Sequence, residues 1–177
     1  MSGIIQKASR GFTAIELVVY VAIFSAISVF LVGSLLTLTV AYRRLQNERD
    51  LVSGVRTIME TLGREIQGAK SIYTPTTSFS AAQSQLSLES VVSPSSGESL
   101  TYVDFYLDNS RLYLKREGAS AIALNPASTE VSDFRAERVA NGSRESVQVF
   151  LKITTRATGN LETASVVTAS FTPRGNY

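Results

Sequence analysis

The 177-residue chain contains no cysteine, no histidine and no tryptophan. The lack of cysteine excludes disulfide scaffolds, CxxC redox motifs and thiolate metal sites. The lack of histidine excludes imidazole metal sites, most hydrolase triads and the usual general base near neutral pH. We therefore predict no catalytic residue, no metal site and no cofactor, and we expect a protein that is not an enzyme.

Charge is scarce in one long stretch near the N-terminus. The chain has 17 Lys and Arg against 15 Asp and Glu, yet Glu16 is the only charged residue between Phe12 and Tyr42. The 26 residues from Leu17 to Tyr42 are uncharged and mostly apolar. As a helix they would extend about 39 Å, which exceeds the ~30 Å hydrocarbon core of a bilayer. A secretory signal has a shorter apolar region of about 7–15 residues. We therefore predict a transmembrane helix.

Glu16 is the anomaly in this stretch, because a carboxylate in an apolar segment costs about 2–3 kcal/mol even on lenient insertion scales. One interpretation places Glu16 at the level of the lipid headgroups, where it reaches water. The other requires a cation, and the apolar stretch contains no Lys or Arg. A free amine would arise if the chain were cut between Gly11 and Phe12. We therefore hypothesise that Glu16 pairs with a new N-terminus.

The residues around this position carry a resemblance. The segment Lys7–Val19, KASRGFTAIELVV, resembles the type IV prepilin signal, in which a short basic leader ends in Gly and is followed by Phe, Thr, Glu and a long apolar helix. The resemblance implies that a prepilin peptidase cleaves between Gly11 and Phe12 and N-methylates Phe12. It also implies that Glu16 sets the register between subunits by pairing with the N-terminal amine of a neighbour. The implied partners are the peptidase, other pilin-like subunits and an inner-membrane assembly platform.

The resemblance further implies a topology. The protein would cross the inner membrane once, with its head outside the cytoplasm, before extraction into a pilus or pseudopilus. Counted naively, the positive charges do not favour this orientation. Lys7 and Arg10 precede the span, whereas four arginines follow it: Arg43, Arg44, Arg49 and Arg56.

Beyond Tyr42 the apolar residues take helical spacing. No proline precedes Pro75, and an apolar face is formed by Leu45, Val52, Val55, Met59, Leu62, Ile66 and Ala69. We predict one helix from about Thr13 to Lys70, whose second half packs on a globular head or, alternatively, on a coiled-coil partner. The predicted divisions are a leader at 1–11, a transmembrane or filament-core helix at 12–42, an amphipathic continuation at 43–70 and a β-rich head at 71–177.

The head has a strand pattern. A loop-like segment from Ser71 to Ser84 precedes six strand-like runs: Gln85–Val92, Ser99–Leu107, Arg111–Arg116, Glu130–Val139, Ser146–Arg156 and Ala164–Thr172. Asp108-Asn109-Ser110 and Asn141-Gly142 are hairpin signals. We predict an α+β fold in which the long N-terminal helix packs on a C-terminal antiparallel β-sheet, as in pilins.

Several functions fit this pattern. The lack of cysteine is untypical of major pilins, whereas Leu100–Phe105 and Leu112–Arg116 loosely resemble strands of minor pilins and of J-type minor pseudopilins of type II secretion. That resemblance implies a structural subunit that primes or caps filament assembly. The alternatives are a membrane-tethered binding module, a tethered enzyme with an unrecognised carboxylate site, and a competence-type pseudopilin that contacts DNA through Arg111, Lys115 and Arg116. Nucleic-acid binding is not expected, because acidic and basic residues are nearly equal in number after Ser71.

Overall fold

The computed structural model of the chain describes residues 13–80, 83–92, 94, 97–141, 144–156 and 162–176. The chain divides into two compact units, Met1–Arg43 and Arg44–Tyr177. The predicted cleavage-site residues, Gly11 and Phe12, lie outside the described residues, as does the rest of the predicted leader.

A single α-helix, α1, extends over 55 residues from Ala14 to Gly68. Its bounds match the helix predicted from Thr13 to Lys70 to within two residues at each end. The part that belongs to the first unit is apolar and exposed along its length. The part that belongs to the second unit has one buried face. The two parts of the helix therefore differ in burial.

The buried face of α1 in the second unit differs from the predicted one. It consists of Leu51, Gly54, Ile58, Leu62, Gly63 and Ile66. The prediction was wrong for Leu45 and Val52, whose side chains are 55% and 64% exposed. At about 100° per residue these two positions lie some 80–100° around the helix axis from Leu62, at the margin of the buried face.

Among the described residues, the rest of the second unit contains eight strands. They are β1 (Ala69–Ile72), β2 (Leu86–Ser90), β3 (Thr101–Asp108), β4 (Arg111–Arg116), β5 (Ile122–Ala123), β6 (Thr129–Asn141), β7 (Arg144–Thr155) and β8 (Ala164–Phe171). The strands form a five-stranded sheet in the order β1-β2-β3-β4-β5 and a three-stranded sheet in the order β6-β7-β8, and all neighbouring strands are antiparallel. The predicted α+β class, with a long helix packed on antiparallel β-structure as in pilins, is confirmed.

Two strands were not predicted. The sequence predicts a loop from Ser71 to Ser84, but β1 starts directly after the helix and includes Ser71 and Ile72. Pairing of Ile72 with Leu88 of β2, rather than local sequence, makes this segment extended. β5 has only two residues, and it too is extended through pairing, here with Tyr113 and Leu114 of β4.

The hairpin between β3 and β4 follows from its two turn residues. Asn109 and Ser110 have φ values of 47° and 60°, and Asp108 pairs with Arg111 across the turn. Positive φ at both central residues is the type I′ geometry, whose twist matches that of the flanking strands. The second predicted hairpin joins β6 to β7, where Asn141 pairs with Arg144; Gly142 lies outside the described residues.

The core of the second unit lies between the helix and the inner faces of both sheets. Its largest fully buried side chains include Phe105 of β3, Phe134 of β6 and Ile58 of α1. Alternate burial along β3 and β4 shows that one face of the five-stranded sheet is covered and the other faces solvent. The hydrophobic core therefore holds the part of α1 that belongs to the second unit to the two sheets.

Candidate functional site

The first turn of α1 contains Glu16, the residue predicted to set subunit register. The Glu16 N–H donates to the Thr13 hydroxyl oxygen at 3.3 Å, and the Thr13 N–H donates to Glu16 Oε2 at 3.2 Å. The Thr13 hydroxyl donates to the same oxygen at 3.2 Å. These reciprocal bonds form a capping box, which satisfies two backbone groups that the helix itself leaves unpaired.

The capping box gives Glu16 a partner within its own chain. The partners predicted from the sequence for this carboxylate are water and a neighbour's amine, and Thr13 is not among them. The Thr-x-x-Glu spacing before an apolar run is itself a known signal for a helix N-terminus, so the sequence contained the information. Glu16 is exposed, and a carboxylate at this end of a helix also interacts favourably with the helix dipole.

The surface that follows Glu16 is apolar on all sides. Its exposed side chains include Leu17, Val18, Phe24, Val29, Phe30, Leu35, Leu36 and Leu38, each at least 60% exposed. A helix that is apolar around its whole circumference requires a non-aqueous surrounding, such as lipid or other apolar helices. The described residues contain one helix that is long and apolar enough to cross a membrane, and none of its most apolar 18-residue window is buried.

Four hydroxyl side chains of this segment form hydrogen bonds within the helix. The hydroxyls of Ser25, Ser28, Thr37 and Thr39 donate to the carbonyl oxygens four residues earlier, at 2.7–3.0 Å. Such bonds remove the cost of placing a hydroxyl in a medium without hydrogen-bonding partners. The segment therefore presents no unsatisfied hydroxyl at these positions to its surroundings.

The basic patch considered for DNA contact lies on β4, beside acidic residues. In the register of the sheet, Asp108 lies opposite Arg111 and Asp104 lies opposite Lys115. Cross-strand neighbours of opposite charge compensate each other. The patch therefore does not present an uncompensated positive field.

Arg116, the third basic residue of the patch, forms an ion pair. Its Nη2 lies 2.7 Å from Glu65 Oε1, and the Glu65 side chain is only 11% exposed. This pair joins β4 to α1 and is a structural contact between the sheet and the helix. A shielded carboxylate holds the guanidinium in a fixed position, which leaves it less available to a phosphate backbone.

No group of three or more Asp or Glu side chains in the described part of the chain is arranged to hold a metal ion. Asp104 is half-buried and Asp108 is exposed. Lys115 and Lys152 are both exposed, so neither has the buried position that Ser-Lys catalysis needs.

Comparisons with protein-family models, with curated proteins and with solved structures each find no match to this chain. The chemistry of the N-terminal segment and the architecture of the second unit are therefore the grounds for a functional proposal.

Proposed function

We propose that this protein is a membrane-anchored subunit of a pilin-type filament. The observation that carries the proposal is the position of the exposed apolar helix. It begins at Ala14, directly after the basic leader and the Gly11-Phe12 pair, and its only acidic residue before Tyr42 is Glu16 in the first turn. A helix of this kind is stable in a bilayer and, once extracted, requires other apolar helices around it.

Within this class, the particular role that fits best is that of a minor pilin or minor pseudopilin, which primes or caps assembly in a type IV pilus or a type II secretion pseudopilus. The support is the lack of cysteine and the loose resemblance of β3 and β4 to minor subunits. A prepilin peptidase would cleave after Gly11 and methylate Phe12. The chain would then reside in the inner membrane with its head outside the cytoplasm, where it contacts the assembly platform and other pilin-like subunits.

Glu16 has two roles in this proposal. In the separate chain its carboxylate completes the capping box with Thr13. In the filament it would accept a charge-assisted hydrogen bond from the N-terminal amine of a neighbouring subunit. An ion pair in an apolar surrounding contributes more to register than to net stability, because burying each charge is costly. We therefore expect loss of the charge to impair assembly more than folding.

Three variants separate the two roles. Thr13→Ala removes the hydroxyl of the capping box and leaves the carboxylate, whereas Glu16→Gln keeps a hydrogen-bond acceptor and removes the charge. Glu16→Ala removes both functions. The measurement is the fraction of each variant in sheared filaments relative to the membrane, in cells with the native assembly machinery.

We expect Glu16→Gln and Glu16→Ala to be processed and inserted but poorly incorporated, and Thr13→Ala to assemble nearly as the wild type does. If Thr13→Ala and Glu16→Ala lose filament incorporation to the same extent, Glu16 acts only as a helix cap. Normal incorporation of Glu16→Ala would refute the pairing altogether.

The alternative of a DNA-contacting pseudopilin receives less support, because Asp104, Asp108 and Glu65 compensate the basic residues of β4. A tethered binding module that never enters a filament would retain its leader, and this outcome is distinguished by the N-terminal mass.

A further inference from the structure

A groove on the second unit lies between the last turns of α1 and the end of β8. Its volume is about 540 Å³, which falls within the range of small-molecule sites. The helix lines the groove from Met59 to Gly68 with residues spaced mostly three and four apart, which therefore lie on one side of α1. Phe171 at the end of β8 and Arg174 in the 3-10 turn Arg174–Asn176 line the other side. We call this cavity the helix-end groove.

The floor of the helix-end groove is apolar and fixed in place. Met59 and Phe171 are half-buried, and both pack against the hydrophobic core from the side that does not line the groove. The Phe171 ring lies close to the helix, because a Cβ atom added at Gly63 would be only 2.8 Å from its Cε1 atom. A thioether and an aromatic ring held in this way form a surface on which an apolar or aromatic group can pack.

The walls of the groove contain two exposed arginines, Arg64 and Arg174. Arg174 forms no ion pair with any residue that the structure describes. Arg64 Nε lies 3.5 Å from Glu65 Oε1, but the same oxygen lies only 2.7 Å from Nη2 of Arg116. The Glu65 carboxylate is therefore shared between two guanidinium groups, and it neutralises Arg64 only in part.

One carboxylate lines the groove itself, and it is already bonded elsewhere. Glu60 Oε1 lies 2.6 Å from Nε of Arg56, on the same helix. The remaining polar side chain of the lining is Gln67, whose amide can donate hydrogen bonds. An adjoining cavity of about 360 Å³ shares Gln67 and Arg174 with the groove and adds the hydroxyl of Ser170. The groove therefore combines an excess of positive charge with neutral hydrogen-bond donors, which is the environment that an anion requires.

Gly68 keeps one side of the groove open. A Cβ atom added at Gly68 would meet nothing within 4 Å, and the φ angle of this residue is not in the left-handed region. Neither packing nor backbone conformation therefore requires a glycine here, although glycine in a helix costs up to about 1 kcal/mol relative to alanine. Because Gly68 lines the groove, a side chain at this position would occupy part of its volume. An open groove accounts for the glycine.

We propose that the helix-end groove binds an organic anion, whose carboxylate or phosphate group contacts Arg64 and Arg174 and whose apolar or aromatic body packs on Met59 and Phe171. Guanidinium groups match both kinds of anion, because their N–H donors can bond two oxygens at once. The apolar floor selects an anion that carries a hydrocarbon group over a bare inorganic ion. The proposal does not depend on the filament function, since every residue that it uses belongs to the second unit.

Isothermal titration calorimetry of the full-length chain in mild detergent tests the ligand class with four probes. Phenylphosphate and N-acetylphenylalanine each carry an anion and an aromatic ring, inorganic phosphate carries the charge alone, and benzylamine carries the ring with the opposite charge. We expect at least one aromatic anion to bind at least about tenfold more tightly than inorganic phosphate, because the ring buries apolar surface. We expect benzylamine not to bind.

The comparison of the probes also identifies the source of the anion. Tighter binding of N-acetylphenylalanine would indicate the C-terminal carboxylate of a polypeptide, whereas tighter binding of phenylphosphate would indicate a phosphorylated small molecule. Equal affinity for phenylphosphate and inorganic phosphate would refute the role of the apolar floor. No binding of either aromatic anion would overturn the proposal.

Charge-removing variants test the two arginines. Arg64→Gln and Arg174→Gln should each raise the Kd of the tighter aromatic anion at least about threefold, and the double variant at least about tenfold. The matched control is Arg49→Gln, which removes an exposed arginine of the same helix about 22 Å from Arg64. Its Kd should stay within about twofold of the wild-type value. An equal loss of affinity in Arg49→Gln would mean that net charge alone attracts the anion, and it would overturn the assignment of the site.

A filling variant tests the position of the ligand without changing any charge. Gly68→Leu places a side chain in the groove, where a Cβ atom meets nothing within 4 Å, so the fold should tolerate it. We expect Kd for the same anion to rise at least about fivefold, while near-ultraviolet circular dichroism stays unchanged and stability in urea does not fall. Wild-type affinity in a folded Gly68→Leu variant would place the anion outside the helix-end groove and refute the proposal.

Discussion

The close contact between α1 and β8 gives a quantitative test of how the helix packs on the head. A Cβ atom added at Gly63 would lie 2.8 Å from Cε1 of Phe171, whereas one added at Gly68 would meet nothing within 4 Å. Carbon atoms in optimal contact are about 3.5–4.0 Å apart. The Phe171 ring would therefore have to move by about 0.7 Å or more to accept Gly63→Ala.

The expected free energies follow from these two environments. Overpacking of this kind costs about 1–3 kcal/mol, and replacing a helical glycine by alanine returns up to about 1 kcal/mol. Gly63→Ala should therefore lower the free energy of unfolding by about 0–3 kcal/mol. Gly68→Ala meets no contact, so only the gain in helix propensity remains, and it should raise the free energy of unfolding by at most about 1 kcal/mol. The two variants should thus differ by about 1–3 kcal/mol.

Urea unfolding of the full-length chain in mild detergent measures this difference. The chain has seven tyrosines and no tryptophan, so near-ultraviolet circular dichroism of tyrosine is a suitable signal. Phe171→Leu in the Gly63→Ala background should recover part of the loss, because the shorter side chain relieves the contact. A Gly63→Ala variant that is as stable as Gly68→Ala would refute the packing described between α1 and β8.

Two further predictions concern the head. Asn125 is buried; its Oδ1 accepts the Leu112 N–H at 3.0 Å and its Nδ2 donates to the Thr129 carbonyl at 2.9 Å. Asn125→Leu leaves two buried backbone groups unpaired, and each unpaired group costs about 1–3 kcal/mol. The free energy of unfolding, measured in urea, should therefore fall by at least about 2 kcal/mol. A fall of less than about 0.5 kcal/mol would contradict this role of Asn125. Burial, with nearby Tyr73 and carboxylates, raises the pKa of Tyr102 above its usual value of 10.0. The folded state then holds this proton more tightly than the unfolded state, so the contribution to stability is complete below pH 10 and is lost as pH rises through the folded-state pKa. Between pH 9 and 11.5 the free energy of unfolding should fall less steeply with pH in Tyr102→Phe than in the wild type or in the control Tyr106→Phe. Identical slopes in the three proteins would disprove the raised pKa of Tyr102.

The strands of the head could be predicted only in part. Six strand-like runs correspond to six of the eight strands, and Arg111–Arg116 has the bounds of β4. These strands show alternating or β-branched patterns bounded by turn residues, which are local signals. β1 and β5 have no such signal, because pairing with β2 and β4 determines them. The division into two sheets likewise depends on contacts between distant residues, which a single sequence does not display.

The buried face of α1 could also be predicted only in part from the sequence. Apolar residues at Leu45 and Val52 continue the helical spacing of the core positions, yet both are exposed. Spacing alone cannot distinguish two adjoining apolar stripes on one cylinder, and only the position of the head decides which is covered. At the N-terminus, by contrast, the capping box of Thr13 and Glu16 is local and could have been predicted from the Thr-x-x-Glu spacing.

The mass of the N-terminal peptide shows whether the chain enters the prepilin pathway. The full-length chain would be produced together with a prepilin peptidase, extracted from the membrane and digested, beside a Gly11→Leu variant and a known prepilin as control. We expect the wild type to begin at N-methylated Phe12 and the Gly11→Leu variant to keep residues 1–11. A wild-type chain that still begins at Met1, while the control prepilin is cleaved, would mean that the protein does not enter this pathway.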